Sequence, residues 1–164
     1  MQAYVEELKE ILKNEVLLYQ TLLELGQKKK EIITQGKVKE LDQITQVEQS
    51  LVLKIGKEEQ TREKVVEMIR KEVSLRDDIT VSELIYHLEE EDQQALEVER
   101  QNLLSILGSI KETNDLNKVL IQDSLEFIKF NLNLLTRTEE TGSYSQNRGR
   151  NQATQRNNLF DIKI

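Results

Sequence analysis

Proline is absent from all 164 residues, and that absence constrains the fold more than any motif does. Proline ends or kinks a helix because it lacks an amide hydrogen and its ring meets the carbonyl one turn back. Without it, and with aromatics at 4% against 32% charged residues, long helices can run unbroken and little is left to fill a sheet core. The length is that of one ordinary domain. The chain reads as a few long amphipathic helices.

Its periodicity agrees. In the first 34 residues Tyr4, Leu8, Ile11, Leu12, Leu18, Tyr19, Leu22, Leu25, Ile32 and Ile33 follow the i, i+3, i+4, i+7 spacing of one helical face. Such a helix, over 2–34, would be about 50 Å long at ~1.5 Å per residue. Gln35-Gly36-Lys37 supplies the stop, since glycine tolerates the left-handed conformation past a helix end. The stripe resumes at Val38, Leu41, Ile44, Glu48, Leu51, Ile55, Arg62, Val65 and Ile69, predicting a second helix over 38–73. So short a connection predicts an antiparallel hairpin.

The period lapses between Ser74 and Ile79, where Asp77-Asp78 disfavours a helix interior. Thr80-Val81-Ser82-Glu83 then reads as a capping box. A short helix over 81–86 and a long one over 89–137 follow, the latter with a seam at Leu96, Leu103, Leu107, Ile110, Ile121, Ile128, Leu132 and Leu135. Asn114 and Asn117 stand in that seam where leucine is usual. They predict either a register-fixing hydrogen bond or local water.

The expected fold class is therefore all-α: an elongated antiparallel helical hairpin plus a long third helix, a three-helix, coiled-coil-like bundle over 1–138. A flexible polar tail is expected over 139–164, since Gly, Ser, Gln, Asn, Thr and Arg dominate it and bury too little to offset the entropy of ordering. Apolar residues return abruptly at Leu159-Phe160-Asp161-Ile162-Lys163-Ile164, either as a docking motif or as a stray end.

Several function classes have no support. Apolar runs such as Val119 to Ile121 fall far short of the roughly 20 residues that span a bilayer, and Glu6, Glu7 and Lys9 interrupt any secretory leader. Membrane insertion is not expected, and a cytoplasmic start is. The absence of cysteine leaves no disulfide or thiolate metal site, as a reducing compartment allows. A net charge of −7 lacks the basic stripe that phosphate neutralisation needs, so no nucleic acid partner is expected.

Catalysis requires converging groups of tuned pKa, yet there is one histidine and no glycine-rich phosphate loop. His87 is followed by Leu88-Glu89-Glu90-Glu91, and those carboxylates would repel an incoming phosphoryl group. Glu89-Glu90-Glu91-Asp92 could suggest a hard-cation cluster, but consecutive helical residues point around the axis, so a solvated acidic turn is the better reading. No enzyme, catalytic residue, metal or cofactor is expected.

What remains is binding. Beside its seam the last helix carries a second stripe, Leu116, Leu120, Phe127, Phe130 and Leu134. Another helix of the same chain, a second copy or a partner helix could cover it. Burying four such side chains at roughly 1.5 to 3 kcal/mol each would yield about 6 to 12 kcal/mol before ordering costs.

The residues also resemble a known family. Leu8-x-x-x-Leu12-x-x-Glu15-x-x-x-Tyr19-x-x-Leu22-Leu23, then Lys30-x-x-Ile33-x-x-Gly36 and Leu41-x-x-Ile44-x-x-x-Glu48, look like the opening hairpin of the FlgN-type flagellar export chaperones. Asn114-x-x-Asn117-x-x-x-Ile121, a polar tail with Tyr144 and the apolar Leu159-Phe160-Asp161 complete an order and spacing that match most of the chain. The resemblance implies a cytoplasmic chaperone. Its partners would be the hook-associated, or hook-filament junction, proteins, held in an export-competent state and delivered to the flagellar type III export gate. Their disordered C-terminal segment would bind at Leu116, Leu120, Phe127, Phe130 and Leu134. Tyr144 would engage the export gate, with Leu159, Phe160 and Ile162 as further tail docking residues. The tail arginines Arg148, Arg150 and Arg156 match no motif of that family. The competing reading is a scaffolding coiled coil that homodimerises through its last helix.

Overall fold

A computed structural model of the chain describes the backbone of residues 1–73 and 81–143, with the side chains of all of these except Val81 and residues 137–143. The described backbone is helical throughout, apart from short connections. It divides into two units, Met1–Asp123 and Ser124–Ile164. The turn predicted at Ser74 to Ile79, the cap at Thr80 and the tail from Tyr144 onward lie outside the described residues.

In the first unit, α1 (Gln2–Thr34) and α2 (Val38–Glu72) form the hairpin. Gly36 takes φ +66, which an L side chain adopts only at a steric cost. With that residue left-handed, the Gly36 amide reaches the Ile33 carbonyl at 3.0 Å and the Lys37 amide reaches Ile32 at 3.1 Å, the paired bonds of a Schellman cap. Ile32, Ile33 and Ile44 are buried near this turn.

The main apolar core lies at the opposite end of the hairpin. Because α1 and α2 are antiparallel, Val5, Leu8, Ile11 and Leu12 come to share a cluster with Val65 and Ile69. The short α3 (Val81–Ile85) adds Leu84 and Ile85, the turn after it adds Leu88, and α4 (Glu90–Ser143) adds Leu96 and Leu103. Each fully buried aliphatic side chain contributes roughly 1.5–3 kcal/mol.

Between α3 and α4 the chain breaks at residues 86–89. The Gln93 side chain donates back to the carbonyl oxygens of Leu88, at 2.8 Å, and Tyr86, at 3.3 Å, which ties the turn to the first turn of α4. Glu90, Glu91 and Asp92 occupy that first turn, where negative charge is favourable. Asp92 is nonetheless buried, so the acidic turn is not wholly solvated as the sequence suggested. It meets the Lys9 ammonium of α1 at 2.5 Å and accepts a bond from Gln2 at 3.3 Å. The Asp92 and Glu6 carboxylates beside Lys9 raise its pKa above the ordinary lysine value. The contact pins the start of α4 to α1.

The helical pattern extends further than apolar periodicity indicates: α4 reaches Ser143, past the expected end at Arg137. Thr and Glu lie between Arg137 and Gly142, and backbone bonding propagates through them one residue at a time without needing an apolar repeat.

Candidate partner-binding surface

Polar contacts set the register of the first unit. Glu15 of α1 is buried and receives the Arg62 guanidinium of α2 at 3.0 Å on one oxygen, while its other oxygen has no protein partner. Burial raises its pKa to about 7, against the opposing pull of Arg62. Tyr19 donates to Glu59 at 2.5 Å, and burial followed by that carboxylate raises the phenol's pKa. Lys29 meets Glu48 at 2.6 Å.

On α4, Asn117 is buried and its amide donates to the Gly26 carbonyl of α1 at 2.8 Å. Of the two readings open from sequence, the inter-helix hydrogen bond applies to Asn117, whereas Asn114 is exposed. A side chain at Gly26 would place a Cβ 3.2 Å from the Thr113 methyl, so glycine lets the two helices approach closely. Sequence reasoning passed over Gly26 because a lone glycine inside a helical pattern normally marks only a weak position. Beside this contact an open groove of about 450 Å³ is lined by Leu22, Val52, Asn114, Asn117 and Ile121, among others.

Leu116 and Leu120, four residues apart on α4, are respectively exposed and half-buried. In the second unit, Phe127 is 66% exposed and Phe130 59%, and Leu134 is also exposed. These three share one side of the helix. Leu125, Ile128, Leu132 and Leu135 form another side, roughly 140° away at ~100° per residue, and they too are exposed. The seam expected through Ile128, Leu132 and Leu135 therefore is not a buried seam. The residues that do face the hairpin, Leu96, Leu103 and Asn117, follow one heptad line in the first unit.

Residues 124–136 thus present two apolar sides, separated by Ser124 and Asn131 on one flank and by Gln122, Glu126, Lys129 and Asn133 on the other. Large contiguous apolar exposure is commonly found at interaction sites, which makes this stretch the candidate surface. Tyr144, Leu159, Phe160 and Ile162 lie outside the described residues. His87 is exposed on the turn before α4. Among the described residues no group of His, Cys, Asp or Glu could hold a metal ion, and no helix is long and apolar enough to cross a membrane.

The FlgN protein family model matches residues 1–156, which takes in the hairpin, α3 and the whole of α4. The chain belongs to the FlgN family. FlgN proteins are flagellar export chaperones, which fits a helical molecule with exposed apolar residues on its last helix. The chain is also similar to the uncharacterized protein YvyG of Bacillus subtilis (strain 168), at 28% identity over 163 residues, covering 99% of this chain and 98% of that one. No solved structure matches the chain.

Proposed function

We propose that this FlgN-family chain is a cytoplasmic chaperone for hook-associated proteins, binding their disordered C-terminal segment along α4 and delivering them to the flagellar type III export apparatus. The supporting observation is the exposed side formed by Phe127, Phe130 and Leu134, in a chain of a flagellar chaperone family. A segment that folds as an amphipathic helix against this side would bury its own apolar residues, and Leu116 and Leu120 are further proposed contacts. Premature association of the partner is thereby prevented, and release at the export gate requires no covalent step. In this reading Tyr144 contacts the export gate, and Leu159, Phe160 and Ile162 supply further docking.

Calorimetric titration with the C-terminal segment of a hook-associated protein tests the proposal. One-to-one binding with a negative heat-capacity change is expected, because apolar surface is buried. A second reading, a scaffold that homodimerises through α4, is favoured by the additional exposure of Leu125, Ile128, Leu132 and Leu135, an apolar side that one partner helix would leave open. A stable homodimer with no heat of binding would select that reading.

A further inference from the structure

Asn117 uses only half of its carboxamide within the protein. The side chain is buried and its amide nitrogen donates to the Gly26 carbonyl at 2.8 Å, but no protein donor reaches its Oδ1. Buried polar atoms nearly always have a partner, so this acceptor calls for a donor from outside the chain. Asn117 also lines the open groove of about 450 Å³, a volume within the ~300–1,000 Å³ of ligand sites and far larger than one water occupies. The groove lies wholly in the first unit. Leu22 of α1, Val52 of α2 and Ile121 of α4 give it an apolar surface, and Asn114 adds a second carboxamide. Among its charged lining residues Lys29 and Glu48 pair at 2.6 Å, which leaves Lys118 as the net charge.

That lining matches polypeptide backbone. A carboxamide offers both donors and an acceptor, the complement of a peptide group. Asn114 and Asn117 are three residues apart on α4, which puts their Cβ atoms about 5–6 Å apart. Along one edge of an extended chain the peptide groups recur every second residue, about 6.6 Å apart, a spacing that two flexible side chains can meet. A bound helix offers no such row, since its interior amides already bond to its own carbonyls. An extended chain also sends alternate side chains to opposite faces, so one row of them can rest on Leu22, Val52 and Ile121.

We propose that this groove binds an extended, uncharged polypeptide segment through its backbone, with one amide donating to Asn117 Oδ1 and Asn114 engaging the peptide group two residues away. Asn114 and Ile121 lie roughly 130° around α4 from Leu116 and Leu120 at ~100° per residue. The site is therefore separate from the proposed helical contact, and it does not rest on the chaperone reading.

The probe is a capped, uncharged pentapeptide of alternating valine and serine, too short to form a helix, titrated into the full chain and followed by NMR. The side-chain amide signals of Asn114 and Asn117 and the methyl signals of Leu22, Val52 and Ile121 should shift together. N-methylating the peptide amides one at a time should raise Kd about three- to tenfold at alternate positions and leave it unchanged between them, because each effective methyl removes one hydrogen bond. Asn117→Leu removes the acceptor and should weaken binding at least as much, with a thermal melt to show that the chain is folded. Asn114→Ala changes an exposed position, keeps the fold and should raise Kd by a similar factor. Groove signals that the peptide leaves unmoved, N-methyl effects without alternation, or full affinity in Asn114→Ala would each overturn the inference. So would a long-lived water signal at the Asn117 carboxamide that the peptide does not displace, which would make an internal water the partner of that acceptor.

Discussion

At the scale of single residues, Glu15 has the most consequential environment. It is buried with only one oxygen paired, and its pKa rises from 4.5 to about 7. The folded state therefore prefers the protonated acid. That preference contributes fully to stability below pH 4.5, declines as pH rises through the window from 4.5 to about 7, and is lost above it. The loss is on the order of 3 kcal/mol, at 1.36 kcal/mol per pKa unit. Glu15→Gln resembles the protonated acid at every pH. Its melting temperature should match the parent near pH 4.5 and exceed it by roughly 5–10 °C above pH 7. Thermal melts of both proteins across this range give the difference, and a constant offset would contradict the assignment. Glu15 was legible in the sequence only as part of a family-like spacing. Its burial against Arg62 depends on a residue far along the chain, so no local pattern announces it.

Asn117 illustrates the same division. Its place in the seam is visible in the heptad spacing, but its partner is a backbone carbonyl at Gly26, and carbonyl groups carry no sequence signature. The same holds for the Lys9–Asp92 pair. The acidic run around Asp92 reads as solvated because consecutive residues point in different directions, and only the packing of α4 against α1 selects which carboxylate turns inward.

At the scale of elements, the hairpin was fully readable. Its two stripes, the glycine between them and the short connection are local properties, and the Schellman bonds at Gly36 follow from them. Gly36→Ala should cost about 1–2 kcal/mol, because its φ of +66 is strained for any residue with a Cβ. A drop in melting temperature of roughly 2–8 °C is then expected, without loss of helical circular dichroism. An unchanged melting temperature would mean that the turn relaxes without the left-handed residue. The long helix was read less well. Two apolar stripes at helical spacing lie on α4, and periodicity alone cannot say which one meets the hairpin. After Asp123 both stripes are exposed: Phe127 is 66% and Leu132 57% exposed.

At the scale of the whole molecule, the core and the proposed partner surface draw on different residues. The core cluster draws on α1, α2, α3 and the first turns of α4, and none of residues 124–136 belongs to it. Phe127→Ser combined with Phe130→Ser should therefore leave the melting temperature within about 2 °C of the parent, since surface changes usually fall within ±0.5 kcal/mol. Affinity for the hook-associated segment should fall by at least about tenfold, equivalent to roughly 1.4 kcal/mol. Calorimetry and thermal melts read the two effects independently, and a loss of folding would place the phenylalanines in the core. In the proposed reading Tyr144→Ala tests the delivery step instead. Segment affinity should be retained while flagellar secretion of the bound protein falls, and normal secretion would remove the tyrosine from export-gate docking.

The sequence by itself determined the all-helical class, the hairpin and its turn, and an excess of apolar surface on the last helix, because each is written in local spacing and residue type. Tertiary structure decided which polar groups are buried, where α4 contacts α1, and that both apolar sides of residues 124–136 stay exposed. Those outcomes depend on pairings between residues up to 91 positions apart, as Gly26 and Asn117 are. A helical repeat specifies the angle at which a side chain leaves its own axis, and carries no information about which neighbour stands at that angle.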